Sequence, residues 1–207
     1  MGLTTPLFKP VFFLFILTLL LTSTASANQK ILVWGDSLSA AYGIPKEKGW
    51  VNLMRQSLGE NFEVINGSIS GETTQGGLTR LPQALKKNTP DYVILELGAN
   101  DGLRGLPPRV TQNNLRKIIE KTKKAGAKVI LLGMKIPPNY GLAYSNKFEA
   151  VFKTLADEYE LPFIPFFLED IVTDLTLLQK DELHPTADAQ VLILKKLLPT
   201  IHAELIK

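Results

Sequence analysis

Apolar residues fall into two alternating patterns along this chain. Short runs occupy residues 31–34, 62–65, 92–97, 128–134 and 163–166, and segments such as Val93-Ile94-Leu95 and Val129-Ile130-Leu131-Leu132 have no polar positions between them. Strands of that kind suit a sheet covered on both faces. Between the runs, apolar positions recur at helical spacing: Leu78, Leu81 and Leu85, then Leu115, Ile118 and Ile119, then Phe148, Phe152 and Leu155. Pro185 and Thr186 are expected to open a final helix with an inner stripe of Val191, Leu194, Leu198 and Ile201, kinked or broken near Pro199. Strands alternating with helices predict an α/β fold, a three-layer α/β/α sandwich around a five-stranded parallel sheet. No linker, internal repeat or low-complexity segment follows residue 27.

The N-terminus departs from this pattern. Lys9 precedes an apolar run over 11–21, and Thr22-Ser23-Thr24 and Ala25-Ser26-Ala27 follow. A positive residue, an apolar run and an A-x-A site make a secretory signal peptide over residues 1–27, cleaved before Asn28. The run is well short of the roughly 20 residues that span a bilayer. With no cysteine in the chain, thioether lipidation is excluded. The expected product is periplasmic or secreted, with no stable membrane anchor. Residues 28–207 are expected to form one domain and a monomer, large enough to be stabilised by its core without disulfides.

Charge narrows the classes further. Without Lys9, 22 basic residues face 20 acidic ones. Lys86, Lys87, Lys121, Lys123 and Lys124 lie on polar helical faces with no interleaved aromatic residues, so nucleic acid is not an expected partner. Two histidines and no cysteine offer no ligand cluster, and neither a metal nor another cofactor is expected.

In a parallel sheet the active site forms outside the carboxyl ends of the strands. Several chemically capable residues fall there. Ser37 follows the first run within Gly35-Asp36-Ser37-Leu38-Ser39, and Gly71 follows the second. Asn100 follows the third, and residues 137–141 follow the fourth. Asp181 and His184 stand in the last loop, in Asp181-Glu182-Leu183-His184-Pro185. A serine hydroxyl becomes a nucleophile when an imidazole takes its proton, and an acid three residues from that histidine is placed to orient it. At a strand-to-helix turn, Ser37 would also feel the positive end of a helix dipole. Asp174 and Glu182 are alternative acids without the same spacing, and His202 reads as a surface or helix-end residue. Candidate oxyanion donors are the N–H groups of Ser37 and Gly71 and the side-chain amide of Asn100. Gly71 suits close backbone approach to a substrate. Asp36 and Glu96 read as structural acids that pair with backbone or with a cation.

Four blocks in order, G-D-S-L-S, I-S-G-E-T, G-A-N-D-G and D-E-L-H-P, resemble those of the SGNH (GDSL) hydrolases. The resemblance covers the chain from about Lys30 onward. It implies a flavodoxin-like hydrolase fold, Ser37 as nucleophile, Asp181 and His184 as its partners, and an oxyanion hole of Ser37, Gly71 and Asn100. The segment 100–105 resembles a mobile loop beside the acyl site, and 137–141 resembles a second, slightly shortened wall. Leu103, Leu106 and Tyr140 are therefore the expected substrate-binding residues.

The resulting expectation is a serine esterase that hydrolyses small-molecule esters, thioesters or lysophospholipids of medium acyl chain through an acyl-enzyme. Because acyl-CoA is cytoplasmic, an envelope ester is the more natural target for an exported protein. Two rivals remain at this point. An O-acetylesterase acting on carbohydrate or peptidoglycan uses the same four blocks, but favours a polar, aromatic-lined site rather than Leu103, Leu106, Pro107 and Leu142. A non-catalytic binding domain on the same sheet leaves the coincidence of nucleophile, base, acid and donors unexplained.

Overall fold

In the computed structural model, residues 28–206 are described together with Met1 and Gly2. The expected leader lies outside the described residues. Five parallel strands form one sheet: β1 (Gln29–Gly35), β2 (Phe62–Asn66), β3 (Tyr92–Glu96), β4 (Lys128–Leu132) and β5 (Phe163–Ile164), in the order β2-β1-β3-β4-β5. The longer helices are α1 (Trp50–Leu58), α2 (Thr74–Asn88), α4 (Pro108–Lys124), α5 (Leu142–Tyr159) and α6 (Ala189–Leu205), with a short α3 (Ala99–Leu103) after β3. α1 packs with α6, while α2, α4 and α5 pack in series, which gives the sheet its two helical layers. The α/β expectation holds. The centre of the sheet is as dry as the uninterrupted runs require: every residue of β3 is buried, and Ile31, Leu32 and Val33 of β1 have no exposed surface.

Three strands end earlier than their apolar runs. β5 stops at Ile164 because Pro165 has no N–H to give the ladder. β3 stops at Glu96, ahead of Gly98 at a φ of 129°. β4 stops at Leu132, although the Gly133 N–H still reaches the Ile164 carbonyl (2.7 Å).

The last helix corrects two expectations. It begins at Ala189 rather than at Pro185 or Thr186, since residues 178–186 form a hairpin-like loop closed by a bridge between Leu178 and Pro185. Its buried stripe is Ala189, Gln190, Ile193, Leu197, Ile201 and Leu205, whereas Val191 is 59% exposed. Gln190 sets that register: its buried side-chain oxygen accepts from the Trp50 N–H at the start of α1 (3.0 Å). Pro199 sits within the helix without breaking it.

Chain direction reverses at the middle of the sheet. From β1 the chain moves to the edge at β2, then returns to the other side of β1 at β3. The loops after β1 and β3 therefore part at a switch point, where ligand crevices form in open α/β sheets.

Candidate active site

β1 ends at Gly35, and residues 36–43 fold into tight turns in which the Ala40 N–H donates to the Asp36 carbonyl (2.9 Å). No helix follows Ser37. Beyond a 3-10 turn over Lys46–Lys48, the first α-helix starts at Trp50, so the expected helix-dipole contribution at Ser37 is absent. The turn is fixed from below by an acid. Glu96, with no exposed surface, accepts from the Asp36 N–H (3.2 Å) and the Ser39 hydroxyl (2.5 Å). Gly35 is a glycine for the same reason: a methyl there would collide with the Glu96 carboxyl.

The histidine arrives from the loop before α6. Asp181 Oδ1 accepts from the N–H groups of Leu183 (3.1 Å) and His184 (3.0 Å), closing a compact turn. Its Oδ2 lies 2.6 Å from His184 Nδ1, and His184 Nε2 lies 2.9 Å from Ser37 Oγ. Partial desolvation pushes the Asp181 carboxyl up, but the hydrogen bonds from His184 and the Leu183 N–H outweigh it and hold the group at about 2. Asp174 is committed elsewhere, to Thr176, and His202 is exposed near the end of α6.

Two residues support this junction without any motif to announce them. The Tyr42 ring lies 4.5 Å from the His184 ring, tilted by 40°. Gln179 donates from Nε2 to the carbonyls of Tyr42 (2.8 Å) and Pro185 (3.0 Å), and its N–H reaches the His184 carbonyl (2.7 Å). One side chain thus clasps the serine turn to the histidine loop across 137 residues of sequence.

The N–H groups of Ser37 and Gly71 donate to no acceptor among the described residues. Gly71 has a φ of 79°, and a methyl there would meet open space. That backbone angle favours glycine, and the open space beside it leaves room for a substrate to approach the backbone. Its loop is braced by Arg80, which lies 3.6 Å over the Trp34 ring, pairs with Glu72 (2.5 Å) and donates to the Gly67 carbonyl (2.6 Å). Asn100, in the first turn of α3, donates from Nδ2 to Asp36 Oδ2 (3.0 Å). The neighbouring Asp101 is structural: it accepts from the Thr74 N–H (2.8 Å) and hydroxyl at the start of α2.

Asp36 and Glu96 face each other in the buried floor of the site. Burial pushes the Asp36 carboxyl up to about 6, against hydrogen bonds from Leu38 and Asn100. Glu96 is raised well above the usual range by burial and then by the Asp36 charge. Among the described residues neither acid has the cation partner expected as one option; backbone groups and the side chains of Ser39 and Asn100 serve them instead.

Leu103 and Leu106 are half-buried, and the carbonyls of both are tied to the segment after β4. Tyr140 donates to the Leu103 carbonyl (3.0 Å), and the Tyr144 hydroxyl donates to the Leu106 carbonyl (2.7 Å) with the Gly102 carbonyl close by (3.3 Å). Gly102 packs where a methyl would strike Ile136 and Phe148. Tyr144 joins this wall although the sequence did not single it out. On the β2 side of the nucleophile, a cleft of about 700 Å³ opens among Ser39, Ala41, Lys46, Arg55, Ser68 and Ile69.

Residues 33–192 match the GDSL-like Lipase/Acylhydrolase family. An arylesterase of Vibrio mimicus is 48% identical over 173 residues, covering 82% of this chain and 86% of that protein. The thioesterase 1/protease 1/lysophospholipase L1 of Escherichia coli K12 is 41% identical over 179 residues, covering 86% of each. The crystal structure of the psychrotrophic esterase EstA from Pseudoalteromonas sp., inhibited by monoethylphosphonate, superposes with a TM-score of 0.82 at 40% identity, covering 86% of this chain and 100% of that one.

Proposed function

The chain belongs to the GDSL-like lipase/acylhydrolase family, and from that premise we propose that it cleaves esters and thioesters of medium acyl chains through an acyl-enzyme on Ser37. It is an ester-bond hydrolase by family and by relatives named arylesterase and thioesterase 1/lysophospholipase L1. The observation that carries the mechanism is the unbroken series Asp181–His184–Ser37, at 2.6 and 2.9 Å.

In this reading Ser37 Oγ attacks the substrate carbonyl as His184 Nε2 takes its proton. Asp181 holds the Nδ1–H tautomer and stabilises the imidazolium that forms. The carbonyl oxygen becomes an oxyanion, received by the N–H groups of Ser37 and Gly71 and by the Asn100 amide. His184 then passes the proton to the departing oxygen or sulfur, and water repeats the sequence on the acyl-enzyme. The acyl chain lies along Leu103, Leu106 and Tyr140. The substrate is a small ester, thioester or lysophospholipid.

The order of Lys9, an apolar run and Ala25-Ser26-Ala27 supports export of one domain beginning at Asn28, and so an envelope ester as natural target. No helix among the described residues is long and apolar enough to cross a membrane.

Ser37→Ala should fold normally and lose hydrolysis by several orders of magnitude, and a fluorophosphonate should label the native protein at Ser37 alone. A label on another serine, or a variant that keeps most of its activity, would refute the mechanism.

A further inference from the structure

Asp36 adjoins the nucleophile, is buried, and does no chemistry in the mechanism above. Its two oxygens have separate tasks. Oδ1 accepts from the Leu38 N–H (3.0 Å), just past Ser37, and Oδ2 accepts from the Asn100 amide nitrogen (3.0 Å). One carboxylate therefore spans the serine turn and the start of α3. An amide nitrogen carries two N–H groups. We propose that Asp36 is a positioning residue that fixes one N–H of Asn100, so that the other is presented to the oxyanion, with Glu96 beneath it holding the turn in register. This rests on reading Asn100 as an oxyanion donor.

The chemistry of the acceptor explains why an acid stands here. Both Asp36 oxygens accept, and only an ionised carboxylate can do that without placing a proton on one of them. An asparagine in its place would keep the shape but could satisfy only one of Leu38 and Asn100. The groups facing Asp36 are Glu96 from β3, Asp101 and Asn100 from α3, and His184 from the loop before α6. Burial raises Asp36 to about 6, so the clamp weakens as pH falls through that value.

A double-mutant cycle on the full chain tests this. Asp36→Asn should lower kcat by about 10- to 100-fold with KM changed less than about threefold, and Asn100→Ala by roughly 10²–10³-fold. Because Asp36 acts through Asn100, adding Asp36→Asn to Asn100→Ala should cost less than about threefold more. The same loss in both backgrounds would overturn the proposal while leaving Asn100 as a donor. An Asn100→Ala protein with unchanged kcat would overturn the donor reading and the proposal together. If Asp36→Asn does not fold, the side-chain amide signal of Asn100 is followed instead by nitrogen-15 NMR in His184→Gln, where the imidazole no longer titrates. It should move with a midpoint near 6, and a signal that stays still through that range overturns the proposal.

Discussion

At the level of single residues, the site combines groups that motifs announce with groups that only burial explains. Ser37, Asp181 and His184 were legible because nucleophile, base and acid carry distinctive spacing, and the structure brings them into contact. Glu96 was legible only as an anomaly in an apolar strand, and its partners, Ser39 and the Asp36 N–H, carry no motif of their own. Its protonation has a testable consequence. Burial raises the folded-state value of both Glu96 and Asp36 above their unfolded values, so each contributes stability that is complete at acid pH and is lost as pH rises through its folded value. Glu96→Gln resembles the protonated acid and cannot ionise. Urea unfolding of both proteins should show the variant gaining on wild type as pH rises above the ordinary glutamate range. A difference that does not change with pH would mean that Glu96 is not the titrating group.

For the secondary-structure elements, the sequence gives order and type well and register less well. All five strands overlap the apolar runs that predicted them, and the signal is clearest in β1, β3 and β4, whose uninterrupted apolar stretches are buried on both faces. α6 was misread because Val191-Leu192-Ile193-Leu194 and Leu197-Leu198 offer two stripes at helical spacing that share Ile201. Periodicity does not choose between them; the contact from Gln190 to α1 does. The segment after β1 also departs from the helix the sequence predicts, since the one hydrogen bond of helical type there, from Ala40 to Asp36, does not propagate. The observed register predicts unequal costs. Ile193→Ala removes a side chain with no exposed surface and should destabilise by about 2–5 kcal/mol, whereas Val191→Ala should stay within about 0.5 kcal/mol. Chemical unfolding of the two variants decides, and equal losses would restore the stripe through Val191.

Across the whole molecule, the switch between β1 and β3 sets the nucleophile between two unlike sides. The cleft on the β2 side mixes Lys46, Arg55 and Ser68 with Ala40, Val51 and Ile69. On the β3 and β4 side stand Leu103 and Leu106, held by Tyr140 and Tyr144. With the acyl chain placed on the second side, as proposed above, each methylene buried from water contributes up to about 0.8 kcal/mol, or roughly fourfold in kcat/KM. p-Nitrophenyl esters should therefore be cleaved with kcat/KM rising from acetate to octanoate, then levelling at palmitate as the chain outgrows the wall. Leu106→Ser should flatten the rise and leave acetate almost unchanged, since acetate does not reach that far. Tyr144→Phe separates the leucine from its support: it keeps the apolar surface but frees the Leu106 and Gly102 carbonyls, and so should weaken the octanoate preference partway. A wild type that favours acetate over octanoate would place the protein with O-acetylesterases instead, and the two leucines would then be wall without substrate.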